Sequence, residues 1–454
     1  MAKKISYGID FGTTNSTIAY INERDEPVKL KIDPNADNPC VMRSVIYVNQ
    51  KLDMLFGKPA VDAYITDVAL NKESKKRIIE TGRMIKVAQP ANAGGFVPDK
   101  IVPEIIEVEE SDGGRLLQAL KSNLSSQIVS NINLFGSNKP IEWVVGQFLK
   151  EMKQRADEII GESINKVVIG RPVEYVGGNN QLAIDRMRSA AKIAGFKEIE
   201  FEYEPIAAAY DYGIDIKNKQ ISLIYDFGGG TLDISIVRFP EKEVLANVGL
   251  PIGGDHFNTK IFTSELSQYF GKGSKYGLRQ LSLPESIFAS MKNWYLISLL
   301  KTESFANSIE HFKFMNTNPK ALLALKSLVF NNLGFGIYEE IEKVKKNLSS
   351  KEFEKYNFIA KDIEINTTIT KNVFEKIIQD DLVNIDKTIN KALKAANIKS
   401  EEIDAVATTG GSSLIPAIYK QLQNKFGAKK IKESDAFTSV AAGLAHRAKE
   451  IFSR

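Results

Sequence analysis

Cysteine and histidine are nearly missing from this chain of 454 residues: Cys40 is the sole cysteine, and His256, His311 and His446 are the only histidines. A lone thiol excludes an intramolecular disulfide and a cysteine-built zinc site. Three scattered histidines exclude multi-histidine metal chemistry. Long hydrophobic runs are missing too: the longest, residues 287–300, is interrupted by Lys292 and Asn293 and falls short of a bilayer span. No apolar signal region precedes the first strand pattern, and there is no linker or low-complexity tail. Neither sign of charge dominates, since 60 Lys and Arg against 56 Asp and Glu leave a net +4. That is too little for the broad basic field of a nucleic-acid binder. What remains is an ordinary globular composition, 43% hydrophobic and 26% charged, with length for about three domains. The expectation is a soluble, cytoplasmic protein with neither nucleic acid nor membrane as partner.

One repeat organises the chain. Residues 7–21 read YGIDFGTTNSTIAYI and residues 223–237 read LIYDFGGGTLDISIV. Asp10 falls on Asp226, Phe11 on Phe227 and Gly12 on Gly228, half a chain apart. Each copy is an apolar strand, a turn of small residues and a second alternating strand, which predicts a β-hairpin. Two such hairpins predict a duplicated, two-lobed architecture. Between and after them strand and helix alternate, an α/β pattern. Helices are expected over 144–158, 179–194 and 370–396 and from Glu204-Pro205 and Pro416, with strands over 166–171, 198–202 and 405–409. Residues 52–140 lack clear periodicity and include an acidic loop at 107–114, whereas 271–336 read as an enlarged, helical, aromatic-rich subdomain. The basic run 72–77 reads as a solvated helix face, Gly271-Lys272-Gly273-Ser274 as a solvated loop, and His256 as a polar turn residue.

A turn of Gly and Thr between two strands aims backbone N–H groups and hydroxyls at one point, which suits a phosphate. An aspartate beside each turn suits hydrated Mg²⁺. Either turn alone is equally a plain tight hairpin; the register-matched pair favours a magnesium nucleotide clamped between lobes. Gly410-Gly411-Ser412-Ser413, between a strand and a helix, is a third candidate, and an ordinary strand-to-helix turn is its alternative. Asp226-Phe227-Gly228 also spells the magnesium motif of protein kinases, but the His-Arg-Asp catalytic loop is missing.

These segments resemble the nucleotide-binding domain of heat shock protein 70, the DnaK-type chaperones. Residues 9–16 are similar to the family's first phosphate motif and 226–235 to its second. Glu243 to Ala246 with Ile252-Gly253-Gly254-Asp255 are similar to the segment after that hairpin, Tyr203-Glu204-Pro205-Ile206-Ala207-Ala208-Ala209 to a helix start, and 342–350 to the helix that contacts adenosine. The resemblance implies a two-lobed actin-like ATPase fold: duplicated ribonuclease-H-like lobes with a nucleotide cleft between them. It implies lobe I at 1–217 plus 433–454, and lobe II at 218–432 with an enlarged helical subdomain at 256–368.

The same resemblance implies roles. Asp10 and Asp226 would hold Mg²⁺ through water. Thr13, Thr14, Thr231 and Gly228, Gly229 and Gly230 would hold the phosphates of ATP or ADP, with Gly12 and Asn15 in the same nucleotide-binding set. Glu204 and Asp233 would orient the attacking water, and Pro172 would sit at a switch. Glu342, Lys345 and Ser349 would hold adenosine, with Gly253, Gly254, Gly410, Gly411 and Ser412 lining its site. A lysine near the γ-phosphate would come from a helix over 116–124, as Lys121, with Arg83 or Lys86 as alternatives; a fixed cation there stabilises developing charge. Leu414 stands where the family usually places an arginine against adenine, and His256 and Asn258 replace acidic residues. The chain stops after the expected helix 439–452, where a peptide-binding domain would follow, and in this it looks most like the short bacterial YegD-type chaperones. The expected activity is slow ATP hydrolysis, with client or partner proteins besides nucleotide. An actin-like filament former and a small-molecule kinase share both phosphate turns and remain alternatives.

Overall fold

The computed structural model describes residues 5–70, 74–87, 100–111, 114–127, 130–175, 179–212, 214, 217–297, 300–432 and 437–453, with backbone only for 68–70, 74–87, 100–111 and 295. The expected hairpins head two sheets of the same plan. In the first, Tyr7–Phe11 pairs antiparallel with Asn15–Ile21 and parallel with Lys166–Arg171, while Pro27–Lys29 and Glu198–Tyr203 extend the two sides. In the second, Gln220–Phe227 pairs antiparallel with Leu232–Phe239 and parallel with Ala405–Thr409, while Glu243–Leu250 and Ile431–Lys432 extend it. The strand order is therefore the same in both sheets. Registers agree at the turns: Asp10 lies opposite Thr17 and Asp226 opposite Asp233.

Alternation explains why these segments become strands with one face in a core. Tyr7, Ile9 and Phe11 are fully buried in one hydrophobic cluster, and Tyr225, Phe227, Leu232 and Ile234 in another. Two helices fill the space between the sheets. Glu204–Asp211 starts with Pro205 in its first turn. It packs through Ile206, Ala207, Ala208 and Ala209 against Val440, Leu444 and Ala448 of the helix Ser439–Phe452. The chain thus returns to the first sheet at its end. The approach is close: a Cβ on Gly443 would lie 1.7 Å from the Ala207 carbonyl oxygen.

Several expectations need correction. The run 116–124 is not a helix. Arg115–Leu117 is a strand paired with Ile46–Val48, Ala119 has φ 53°, and only a short 3₁₀ turn, Lys121–Asn123, follows. Residues 52–140, which lack clear periodicity, contain the helix Lys58–Leu70 and a long antiparallel ribbon of Ser74–Val87 with Lys100–Ser111. That ribbon takes the described part of the basic run 72–77 and residues 107–111 of the expected acidic loop; Lys72 lies outside the described residues. The expected helix over 370–396 is two helices, Lys371–Ile377 and Gln379–Ala396. His256 lies in the helix Gly254–Ile261 rather than in a turn, with Nε2 3.1 Å from Asp381 Oδ1. Ser274 is buried and donates to the Gly271 carbonyl at 2.8 Å, while Gly273 is exposed, so the loop is solvated only at its tip.

The segment 271–336 is helical as expected, with Glu285–Ser290, Trp294–Ile297, Glu303–Phe312 and Pro319–Phe330 packed onto the second core. Among the described residues no single helix is long and apolar enough to cross a membrane. The bent pair Pro319–Phe330 and Gly334–Asn347 passes on length and composition together, but turns by 103° at its break.

Candidate functional site

The two repeated turns close by the same bond. Gly12 N–H donates to Asn15 O and Gly228 N–H to Thr231 O, both at 3.0 Å. They face each other so closely that a Cβ on Gly229 would lie 2.3 Å from Thr14 Oγ1. Gly230 lies beside Thr13, with 4.0 Å from its ideal Cβ position to Thr13 Cγ2. Sequence reasoning missed the clamp on the first turn: Ser44 donates through Oγ to Gly12 O at 2.8 Å and through N–H to Thr14 O at 2.9 Å. Nothing in the local pattern around Ser44 marks it, because its partners are set by the pairing of Met42–Arg43 with the second strand.

Behind the turns lies an acidic cluster with one lysine. Lys121 Nζ is 2.6 Å from Glu204 Oε1, and both side chains are nearly buried. Burial would by itself lower the lysine's pKa, but Glu204, Asp10 and Tyr175 outweigh it and hold the ammonium charged. Burial pushes Asp10 from its ordinary 3.8 up to about 7, with repulsion from Glu204 adding and Lys121 opposing. Burial likewise raises Asp226 well above the carboxylate range, reinforced by Glu204, Asp233 and Asp10. Asp233 is raised mainly by burial, and opposed by the Thr231 hydroxyl, which donates to it at 2.9 Å. Asp10, Asp226, Asp233, Glu204 and Lys121 are thus one electrostatic unit, although Lys121 does not come from a helix.

Four carboxylates around one ammonium form a donor set that fits a divalent cation. Among the described residues no three His, Cys, Asp or Glu side chains converge to chelate a metal directly. A divalent cation held here would have to keep most of its water, as Mg²⁺ does.

The second sheet adds a flank of backbone and polar groups. Gly254 N–H donates to Gly228 O at 3.1 Å and Asp255 N–H to Gly229 O at 2.9 Å. Ser412 Oγ donates to Gly228 O at 2.9 Å, which brings the Gly410-Gly411 turn to the second phosphate turn. Lys345 Nζ donates to Gly254 O at 3.0 Å and to Glu342 Oε2 at 2.6 Å, and Asn258 Nδ2 donates to the same oxygen at 2.8 Å. Burial alone would raise Glu342, but Lys345, Lys346 and the Asn258 amide hold it down at about 2. Glu342 is therefore an anionic acceptor on the helix Gly334–Asn347. Ser349 lies just past that helix, where its N–H donates to Lys346 O at 3.1 Å; no described contact joins it to Glu342 or Lys345. Leu414 is half exposed at the end of the Gly411–Leu414 turn. Arg83 and Lys86 lie where only the backbone is described.

Arg43 was also missed. Its Nη1 reaches across to Glu339 Oε2 at 2.7 Å, three residues before Glu342, and its guanidinium lies 5.9 Å from the Phe335 ring centre. Next to it, Tyr64 of the helix Lys58–Leu70 meets Trp294 and Phe335, with ring centres 6.0 and 5.6 Å apart.

Two sheets of identical strand order, each led by a hairpin whose turn faces its counterpart, define the two-lobed actin-like fold. The description "Hsp70 protein" belongs to a family profile that matches residues 6–282 and 333–453; the chain belongs to the Hsp70 family. The match leaves 283–332 outside it, and does not bear on the YegD-type subgroup. A curated relative, "Chaperone protein dnaK" from Gracilaria tenuistipitata var. liui, is 26% identical over 455 aligned positions, covering 99% of this chain and 60% of the relative. The chain therefore spans about three fifths of that relative's length.

Proposed function

We propose that this chain binds and hydrolyses ATP in the cleft between its two sheets, as the ATPase part of an Hsp70-type chaperone. The observation that carries the reading is the pair of turns closed by identical bonds and packed face to face, with the acidic cluster and Lys121 directly behind them. In this reading lobe I comprises 1–217 plus 433–454, and lobe II 218–432, with 256–368 as its helical subdomain. Gly12 to Asn15 and Gly228 to Thr231 cradle the phosphates. Glu342 and Lys345 hold the sugar and base side, together with Gly253, Gly254, Gly410, Gly411 and Ser412, with Ser349 at its margin.

Mg²⁺, bound through water at Asp10 and Asp226, would neutralise charge on the phosphates. The remaining work is done by the chain's own groups. Lys121 offers a fixed cation to the terminal phosphate, and Glu204 and Asp233 orient the attacking water and accept its proton. Family membership supports this chemistry in general and agrees with client or partner proteins as ligands. A cytoplasmic location is part of the same proposal.

The test is calorimetric titration of ATP and ADP with Mg²⁺ into wild type and Asp226→Ala, followed by a phosphate-release assay. The expected result is micromolar binding, about −8 kcal/mol, abolished by Asp226→Ala and accompanied by slow release without an added acceptor. Absence of binding in the wild type would remove the reading. Turnover that requires an added acceptor would make the protein a kinase.

A further inference from the structure

Tyr175 is a buried polar residue beside the reaction centre that the roles above leave without work. It follows Pro172 at the end of the strand Lys166–Arg171 and is 4% exposed. Its ring belongs to the first hydrophobic core. Its backbone is fixed, since the N–H donates to Asn180 Oδ1 at 2.8 Å next to the start of the helix Asn180–Ile193. Yet its hydroxyl is shut off from solvent and has no hydrogen-bond partner among the described residues. It is also close enough to Lys121, Glu204 and Arg171 to feel all three charges.

An orphaned hydroxyl in an apolar wall costs stability compared with the same ring without it. Buried polar groups in folded proteins are nearly always paired, so an unpaired one beside a reaction centre points to a partner that arrives with the ligand. The Lys121–Glu204 pair provides one. The ammonium is paired with Glu204 at 2.6 Å. A triphosphate in the cleft competes for that ammonium, and Glu204 then loses its donor while it still faces Asp10 and Asp226.

We propose that Tyr175 is a positioning residue for hydrolysis: its hydroxyl becomes the hydrogen-bond donor to the Glu204 carboxylate when Lys121 is drawn to phosphate. Glu204 is thereby kept in one orientation toward the attacking water. The phenol is suited to the task. Burial first, with Glu204 adding and Lys121 and Arg171 opposing, pushes it up to about 12, so it keeps its proton wherever the carboxylate is ionised. The proposal rests on the nucleotide reading of the cleft and names a residue that reading does not use.

Tyr175→Phe removes the hydroxyl and nothing else. The single-turnover rate of hydrolysis is expected to fall about 10-fold, the worth of one hydrogen bond to a charged group. The Kd for Mg-ATP should stay within about 2-fold, because the bond forms to Glu204 rather than to nucleotide. Tm should be unchanged or higher, since an unpaired buried hydroxyl has gone. In a Glu204→Gln background the same substitution should have little further effect on rate, because the two act as a unit. A Tyr175→Phe rate equal to wild type overturns the proposal while leaving the nucleotide reading intact. So does a parallel loss of Tm and affinity, which would mark a structural hydroxyl. Wild type that fails to bind nucleotide overturns the reading and the proposal together.

Discussion

Asp10 is where the requirements of the fold and those of the proposed ligand conflict most directly. Its folded pKa of about 7 lies above its ordinary 3.8 because burial and Glu204 disfavour the ionised form. A raised carboxyl binds its proton more tightly in the folded protein than in the unfolded chain, so stability falls as pH rises from about 4 through 7. At 1.36 kcal/mol per unit the full shift would cost about 4 kcal/mol; solvent in the cleft reduces that, and about 1–2 kcal/mol is expected. Asp10→Asn keeps the shape of the neutral acid and never ionises. In EDTA its Tm should therefore match wild type near pH 4 and exceed it by about 2–5 °C at pH 8, while its affinity for Mg-nucleotide drops. Melts at the two pH values decide the matter. A Tm difference independent of pH would mean that Asp10 carries no such strain. The acidic cluster thus stores instability in the free protein that a bound cation would relieve, a common bargain between function and stability.

At the scale of elements, the two central helices are held by smallness. The Ala207 carbonyl lies where a Gly443 Cβ would have to go, at 1.7 Å. Gly443→Ala must push Ser439–Phe452 away from Glu204–Asp211, and the expected loss is about 2–4 kcal/mol by chemical denaturation, at or above the usual cost of overpacking. A loss under about 0.5 kcal/mol would mean that the helices slide apart freely. Because Glu204 heads the second of these helices, the displacement should also lower hydrolysis. Legibility from sequence divides along a similar line. The hairpins, the strands Lys166–Arg171 and Ala405–Thr409 and the helix Ser439–Phe452 follow from alternation, caps and turn residues that act within a few positions. The structure therefore agrees with the sequence there almost to the residue. Where distant pairing decides, local pattern misleads. Leu116 and Leu117 look helical but are drawn into a sheet by Ile46 and Tyr47. The same holds in the site. Its aspartates, glycines and threonines come in contiguous runs and could be read, whereas Ser44, Arg43 and Tyr175 gain meaning only from partners far along the chain.

At the scale of the whole molecule, a contact that includes the segment outside the Hsp70 match joins the helix Lys58–Leu70 to the helix Gly334–Asn347. Trp294, in that segment, meets Phe335 with ring centres 5.0 Å apart and Tyr64 at 6.0 Å. Tyr64 belongs to the helix Lys58–Leu70 on the side of the first sheet, and Phe335 to the helix that carries Glu342 and Lys345. The Tyr338 hydroxyl donates to Met291 O at 2.7 Å, so Trp294 is tied to that helix and moves with it. Separating the lobes must therefore break the Tyr64 contacts. Two ring pairs at about 0.5–1.5 kcal/mol each, with a partly exposed Arg43–Glu339 pair adding about 0.2–1 kcal/mol, amount to a modest clasp. It is strong enough to slow opening and weak enough to release. Tyr64→Ala removes both of its ring pairs, and should raise the dissociation rate of a bound fluorescent nucleotide about 5- to 50-fold, the equivalent of about 1–2.3 kcal/mol. Trp143 is the only other tryptophan. In a Trp143→Phe background, emission therefore reports Trp294 alone. That emission should move to the red with Tyr64→Ala even without nucleotide, because the ring is then bared to water. If neither the emission nor the release rate changes, the aromatic contact is surface packing and does not hold the lobes together.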